Sequence, residues 1–203
     1  MSGLEKVYDL TSPEAAESYY DDWASGYDAE LTGNNYATPA RCAEALAAHA
    51  SLPWAPLLEL GCGTGLGGAA LQAAGFECID GVDISEQMLA EAEAKGLYRT
   101  LTQMDLSQPL DGVDETAYQN IAAIGVLNPS HLPVTLIDEA ISKLPSGGCF
   151  CFSVNDKANS DGQAETRILE ICEHAIADLV FKEHGDHLPD IGLSSTVYVL
   201  KRR

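Results

Sequence analysis

Hydrophobic and polar positions fall into two alternating kinds of segment along this chain. Short apolar runs over residues 57–60, 77–82, 98–102, 120–124 and 149–154 read as strands, most of them separated by stretches of helical period. Helices are predicted over residues 12–31, where Ser12 and Pro13 supply a capping hydroxyl and a first-turn proline, and from Thr38 to about Ala50 by the same device. Further helices are expected over 66–74, ending at Gly75, and from a Ser85 cap through Lys95, with Gly96 as the stop. Another spans 132–144, closed by Pro145 and Gly147-Gly148. The last covers 163–177, with Ile168, Leu169, Ile171, Cys172, Ala175 and Ile176 on one side. Residues 180–184 and 196–200 read as two final strands. Strands alternating with helices argue for an α/β protein built on a doubly wound, mostly parallel, seven-stranded sheet. The loop between the last two strands holds Gly185, Pro189 and Gly192 but no helix, so that pair should run antiparallel at one edge. The polar stretch 155–161 reads as a mobile loop. No repeat or linker divides the chain, which predicts one domain over 1–203: a helical N-terminal part (1–50) and a core (55–203).

Composition narrows the function classes. The 203 residues suffice for one α/β core, and 46% hydrophobic residues exclude a disordered chain. No apolar run reaches membrane-spanning length, and residues 1–10 lack the pattern of a signal peptide, so a cytoplasmic protein is expected. The net charge is −20, with no Lys or Arg between Arg41 and Lys95 or between Arg99 and Lys143. A nucleic-acid binder needs cations against phosphates, so nucleic acid is excluded as a partner, and an anionic membrane surface with it. A small or cationic substrate is compatible. The six cysteines form no C-x-x-C pair and read as buried free thiols, with Cys149 and Cys151 on one strand face.

The chemistry concentrates after the first core strand. Leu57-Leu58-Glu59-Leu60 runs into Gly61-Cys62-Gly63-Thr64-Gly65-Leu66-Gly67-Gly68, a glycine at every second position before a helix start. Such a turn can lie directly against a nucleotide-like ligand, because glycine has no Cβ to hold the ligand away. Gly63-x-Gly65-x-x-Gly68 matches the dinucleotide string, but it begins late relative to the strand end and leaves Glu59 and Gly61 unexplained.

The arrangement Glu59-x-Gly61-x-Gly63-x-Gly65 resembles motif I of the class I S-adenosylmethionine-dependent methyltransferases. The resemblance implies a Rossmann-like sheet of order 3-2-1-4-5-7-6 and S-adenosyl-L-methionine as cofactor. Glu59 would then help hold the amino-acid end of the cofactor, and Gly61, Gly63 and Gly65, with Cys62 between them, would let the backbone pass beside its methionine and ribose parts. It continues in Gly81-Val82-Asp83-Ile84-Ser85-x-x-Met88, where Asp83 would take both ribose hydroxyls and Ile84 and Met88 would pack on adenine. In Met104-Asp105-Leu106, Asp105 would take the adenine amino group and Leu106 would stack beside the ring. Strand four, with Ile124, would run under the cofactor. It departs from the family's motif IV, with Asn120 where a carboxylate commonly opens the strand and Asn128 where a His often follows Val-Leu. Both departures are expected on the substrate side. Tyr20-Asp21-Asp22-Trp23-Ala24-x-x-Tyr27-Asp28 is similar to a segment that forms a lid in many small-molecule methyltransferases. The same segment occurs in a branch sometimes fused to tetratricopeptide repeats and in Williams–Beuren-region methyltransferase-like proteins. Tyr27 and Trp23 are the candidate cofactor contacts in it.

Bland readings stand beside these. Tyr19, Tyr20, Trp23 and Tyr27 at helical spacing also describe a packing face. Asp28 reads as a cap, His131 as a loop or helix-entry residue, and His184 and His187 as parts of a solvated hairpin rather than metal ligands. No catalytic residue is assigned, since the sulfonium carbon is already electrophilic and positioning can supply roughly 7–11 kcal/mol of the barrier. Methyl transfer to a small-molecule acceptor is the leading expectation. A cofactor-binding module without catalysis and an NAD-dependent oxidoreductase are the alternatives.

Overall fold

A computed structural model describes residues 13–127, 132–158 and 162–203. The expected Ser12 cap, the reading of residues 1–10, Asn128, His131 and the 159–161 part of the polar loop lie outside the described residues. The chain runs α1 (Pro13–Gly33), α2 (Thr38–His49), β1 (Leu57–Leu60), α3 (Leu66–Ala73), β2 (Ile79–Asp83), α4 (Glu86–Lys95), β3 (Thr100–Gln103) and β4 (Asn120–Ala123). It continues as α5 (Leu136–Lys143), β5 (Cys149–Asn155), α6 (Gln163–Glu173), β6 (Ala177–Leu188), a 3₁₀ turn (Pro189–Ile191) and β7 (Leu193–Arg202).

The seven strands form one sheet in the order β3-β2-β1-β4-β5-β7-β6. The first five are parallel, and β7 runs antiparallel to both β5 and β6. Side chains alternate across β1, so Leu58 and Leu60 face one layer while Leu57 and Glu59 face the other. The first layer contains α5 and α6, with Ile137, Ile141, Ile168 and Ile171 packed on Phe150, Phe152 and Tyr198. The second contains α2 and α3, with Cys42, Leu46 and Leu71 packed on Leu57, Cys149 and Cys151. Cys149 and Cys151 therefore share a face, and all six cysteines are free thiols.

Several elements differ from the periodicity reading. Thr38 does not cap α2: the N-cap position is Ala37, and Thr38, fully buried, turns its hydroxyl to His187 (2.8 Å) and Ser195 (3.0 Å). The helix expected from residue 132 begins at Leu136, because a turn closed by Leu136 N–H on the Pro133 carbonyl precedes it. The helix expected to reach residue 177 stops at Glu173, and Ala175 adopts φ of 56° before β6 begins. Leu169 and Ile176 face outward, 61% and 46% exposed, so they do not share the buried side of Ile168 and Ile171. The polar stretch after residue 155 starts as structure: Asn155 ends β5, and its side-chain oxygen accepts the Ala158 N–H.

Candidate functional site

Parallel strands end on the same side of the sheet, and the turns that leave them there leave a crevice. The turn after β1 begins at Gly61, whose φ is +66° and whose Cβ, were there one, would lie 2.5 Å from Val126 Cγ2. Only glycine fits there on both counts. Gly63 also has positive φ, and a Cβ there would meet nothing within 4 Å, so its backbone borders open space. Its N–H donates to Asp83 Oδ2 (2.8 Å) at the end of β2, and Asp83 Oδ1 accepts from Ser85 N–H (3.0 Å). Burial raises the Asp83 carboxyl above its ordinary value, against these backbone bonds.

The crevice has two connected parts. The outer cleft, about 690 Å³ including its mouth, is lined by Gly61 and Gly63 of the turn, Asp83, Ile84 and Met88 around β2 and α4, and Asp105 and Leu106 after β3. Ile124, Val126 and Leu132 follow β4, and α1 contributes Tyr20 and Tyr27. An inner chamber of about 290 Å³ shares Tyr27, Gly61, Gly63 and Ile124 with it. Its further walls are Glu59, Cys62, Thr64 and Tyr36. Glu59 is 1% exposed, and burial pushes its carboxyl up to about 8 even though the Tyr98 hydroxyl donates to Oε2 (2.8 Å). Burial likewise holds the Cys62 thiol protonated.

The N-terminal helix is tied to the rim of this crevice by its acids. Asp21 accepts the Ser85 hydroxyl (2.5 Å). Ser85 also caps α4, as its sequence position predicts, by accepting the Met88 N–H (3.0 Å). Asp28 accepts from the Thr64 hydroxyl and pairs with Lys95, which also donates to the Thr64 carbonyl (2.6 Å). Asp28 is thus a tie between α1 and the glycine turn, not a helix cap.

The sequence candidates are distributed as follows. Tyr27, Gly61, Gly63, Asp83, Ile84, Met88, Asp105, Leu106 and Ile124 line the outer cleft, and Glu59 and Cys62 the inner chamber. Trp23 lines neither: its indole N–H donates to Glu30 (2.9 Å) and its ring packs edge-on against Tyr27 at 4.7 Å. Gly65 is the N-cap of α3, and a Cβ there would meet the Tyr98 ring at 3.3 Å. Asn120 sits at the opposite end of β4, 1% exposed with its side-chain oxygen unpaired, so this departure does not lie on the substrate side. His184 pairs with Asp156 at the surface, but His187 is 7% exposed rather than solvated, because Thr38 and the Tyr36 ring close over it. Tyr36 and Tyr98 escape the sequence reading as site residues. Tyr36 is a lone aromatic in a connecting segment with no spacing to mark it, and Tyr98, expected to open a strand over 98–102, lies in the link before β3, which begins at Thr100. Among the described residues no group of three or more His, Cys, Asp or Glu could hold a metal, and no helix is long and apolar enough to cross a membrane.

Residues 57–148 match the family described as "Methyltransferase domain". Human methyltransferase-like protein 27 is 32% identical over 154 residues, 73% of this chain. The chain matches 62% of that protein's length. Among solved structures, magnesium protoporphyrin IX methyltransferase from Synechocystis PCC 6803 with bound SAM is similar at a TM-score of 0.69 and 19% identity, over 94% of this chain and 97% of that one. A complex of the Haloferax volcanii Trm112 methyltransferase activator with a methyltransferase gives 0.65 and 16%, over 89% and 96%. Both likenesses are of fold and cover most of the chain.

Proposed function

Because residues 57–148 carry a class I S-adenosylmethionine-dependent methyltransferase domain, with S-adenosyl-L-methionine as its cofactor, we propose that this chain transfers a methyl group to a small-molecule acceptor. The observation that carries the reading is the crevice beside Gly61 and Gly63. There the backbone borders open space between a buried acid, Glu59, and a second acid, Asp83, that ends the neighbouring strand. The residues present fit the cofactor. Asp83 accepts from backbone N–H groups that include Gly63 on one oxygen and Ser85 on the other, and a carboxylate's remaining lone pairs keep capacity towards the ribose hydroxyls. Ile84, Met88 and Leu106 offer apolar surface for the adenine, and Asp105 an acceptor beside it. Glu59 stands at the inner chamber for the amino-acid end. When bound, the cofactor supplies an electrophilic methyl group on a sulfonium.

The chain's own contribution is orientation and exclusion of water. Tyr20 and Tyr27 of α1 line the cleft, and the ties from Asp21 and Asp28 hold α1 at its rim, which supports reading the N-terminal part (1–50) as a lid on a core spanning 55–203. Every ionisable group other than tyrosine or cysteine that the described residues bring to the two cavities is an acid: Glu59, Asp83 and Asp105. That favours an uncharged or cationic acceptor. Placement in the branch that carries the Tyr20–Asp28 segment, and a cytoplasmic location, belong to the same proposal. Titration calorimetry with S-adenosylhomocysteine tests it. Micromolar binding is expected, and no heat at high micromolar ligand ends the reading. Enhanced NADH fluorescence on mixing would favour the oxidoreductase instead.

A further inference from the structure

Tyr98 sits in the short link between α4 and β3 and has no role in the function just described. Its ring occupies a slot made by three glycines on three elements. A Cβ on Gly65 would meet it at 3.3 Å, one on Gly68 would meet its hydroxyl at 2.3 Å, and one on Gly81 would meet Cδ1 at 3.0 Å. The third glycine of the dinucleotide-like string, Gly68, therefore makes room for this phenol and not for a phosphate. At the end of the slot the hydroxyl donates to Glu59 Oε2 (2.8 Å). The other oxygen, Oε1, lies 1.8 Å from where a Gly67 Cβ would be, so α3 confines the carboxyl from the far side.

Glu59 is thus held from two directions at the wall of the inner chamber. The titratable groups that face it are Tyr98, Cys62 on the turn and Asp83 on β2, none of them cationic; Tyr27 and Tyr36 are the other titratable residues lining the chamber. A buried carboxylate with no cation is costly, so the acid rests neutral until a positive charge arrives. The amino-acid end of the cofactor carries an ammonium.

We propose that Tyr98 is a positioning residue for cofactor binding. By donating to Oε2 it fixes Glu59 to become the carboxylate partner of the incoming ammonium, and entry of the ligand releases the Glu59 proton to solvent. The one bond that breaks is the Glu59 carboxyl O–H, whose proton passes to water and buffer, and the charge brought in by the ammonium is balanced by the charge left on Glu59. The inference rests on the cofactor reading above.

The test is calorimetry of S-adenosylhomocysteine in buffers of different ionisation enthalpy at pH 7, with 5′-methylthioadenosine, which lacks the amino-acid end, as comparison. The wild-type chain should release about one proton with the first ligand and none with the second. Tyr98→Phe keeps the ring in its slot and removes the donor. It should weaken S-adenosylhomocysteine roughly tenfold at pH 7, recover part of that loss by pH 8.5, and leave methylthioadenosine unchanged. A 3-fluorotyrosine placed at position 98, a stronger donor of nearly equal size, should shift the pH midpoint of binding downward, and it carries the test should Tyr98→Phe fail to fold. Binding of S-adenosylhomocysteine without proton release overturns the proposal, as does an equal loss for both ligands in Tyr98→Phe. Failure of both ligands to bind the wild-type chain overturns the cofactor reading beneath it.

Discussion

Glu59 Oε1 occupies the space that a side chain on Gly67 would need, 1.8 Å from the position of its Cβ. A strand residue and a helix residue eight positions later thus share one volume, and that contact sets how closely α3 descends on β1. Gly67→Ala should push the carboxyl aside or lift the helix. Overpacking of this kind costs roughly 1–3 kcal/mol. Urea denaturation should show a lower midpoint, and calorimetry a loss of S-adenosylhomocysteine binding larger than the loss for methylthioadenosine.

Asp83→Asn should weaken S-adenosylhomocysteine by roughly ten- to a hundredfold, since charge-assisted bonds to the ribose would be lost. The amide oxygen can still accept from the backbone on its own side, Gly63 or Ser85, so the melting temperature should fall much less than affinity. Equal affinity in the two proteins would remove Asp83 from the ligand site.

Two buried groups push stability in opposite directions with pH. Glu59 titrates near 4.5 when unfolded and at about 8 in the fold. Between those values the unfolded chain holds fewer protons, so stability falls as pH rises, and the loss is complete above about pH 8. Glu59→Gln removes this term, and its melting temperature relative to wild type should rise steadily from pH 5 to pH 8. His187 is the reverse: burial, then the Arg41 charge, lowers it from 6.5 to about 4. The unfolded chain takes up that proton first, so stability is lost as pH falls from 6.5 towards 4. His187→Gln should flatten the acid side of the melting profile alone.

Asp28→Asn weakens the tie to Lys95 and Thr64. The pair is partly exposed, so the effect on global stability should stay within about 1 kcal/mol. Hydrogen exchange in α1 should nonetheless quicken, and cofactor affinity should drop, while amides in β1, β4 and β5 keep their protection. Uniform protection across α1 in both proteins would show that the tie does not hold the helix.

What the sequence made legible was local. The bounds of β1, the Ser85 cap with its Gly96 stop, and the antiparallel pairing of the last two strands followed from residues adjacent in the chain. Contacts across the chain did not. Thr38 looked like a helix cap because a hydroxyl before proline usually is one, yet a buried histidine 149 positions away claimed it. Leu169 fitted an apolar stripe by period and still points to solvent. The cleft residues around Asp83 and Asp105 were readable because each ends or follows a strand. Trp23 and Tyr20 were not, since which aromatic of a helical stripe faces the cavity depends on how α1 is rolled, and no spacing encodes that roll; Tyr36 lies beyond the end of α1, outside any stripe.

The Ser85 hydroxyl serves two masters with separate valences: a lone pair receives the Met88 amide, and its single proton goes to Asp21. Withdrawal of the N-terminal arm would cost only the second of these. The floor on which the nucleoside would rest therefore stays built when its roof is raised, and ligand exchange asks for no unravelling underneath.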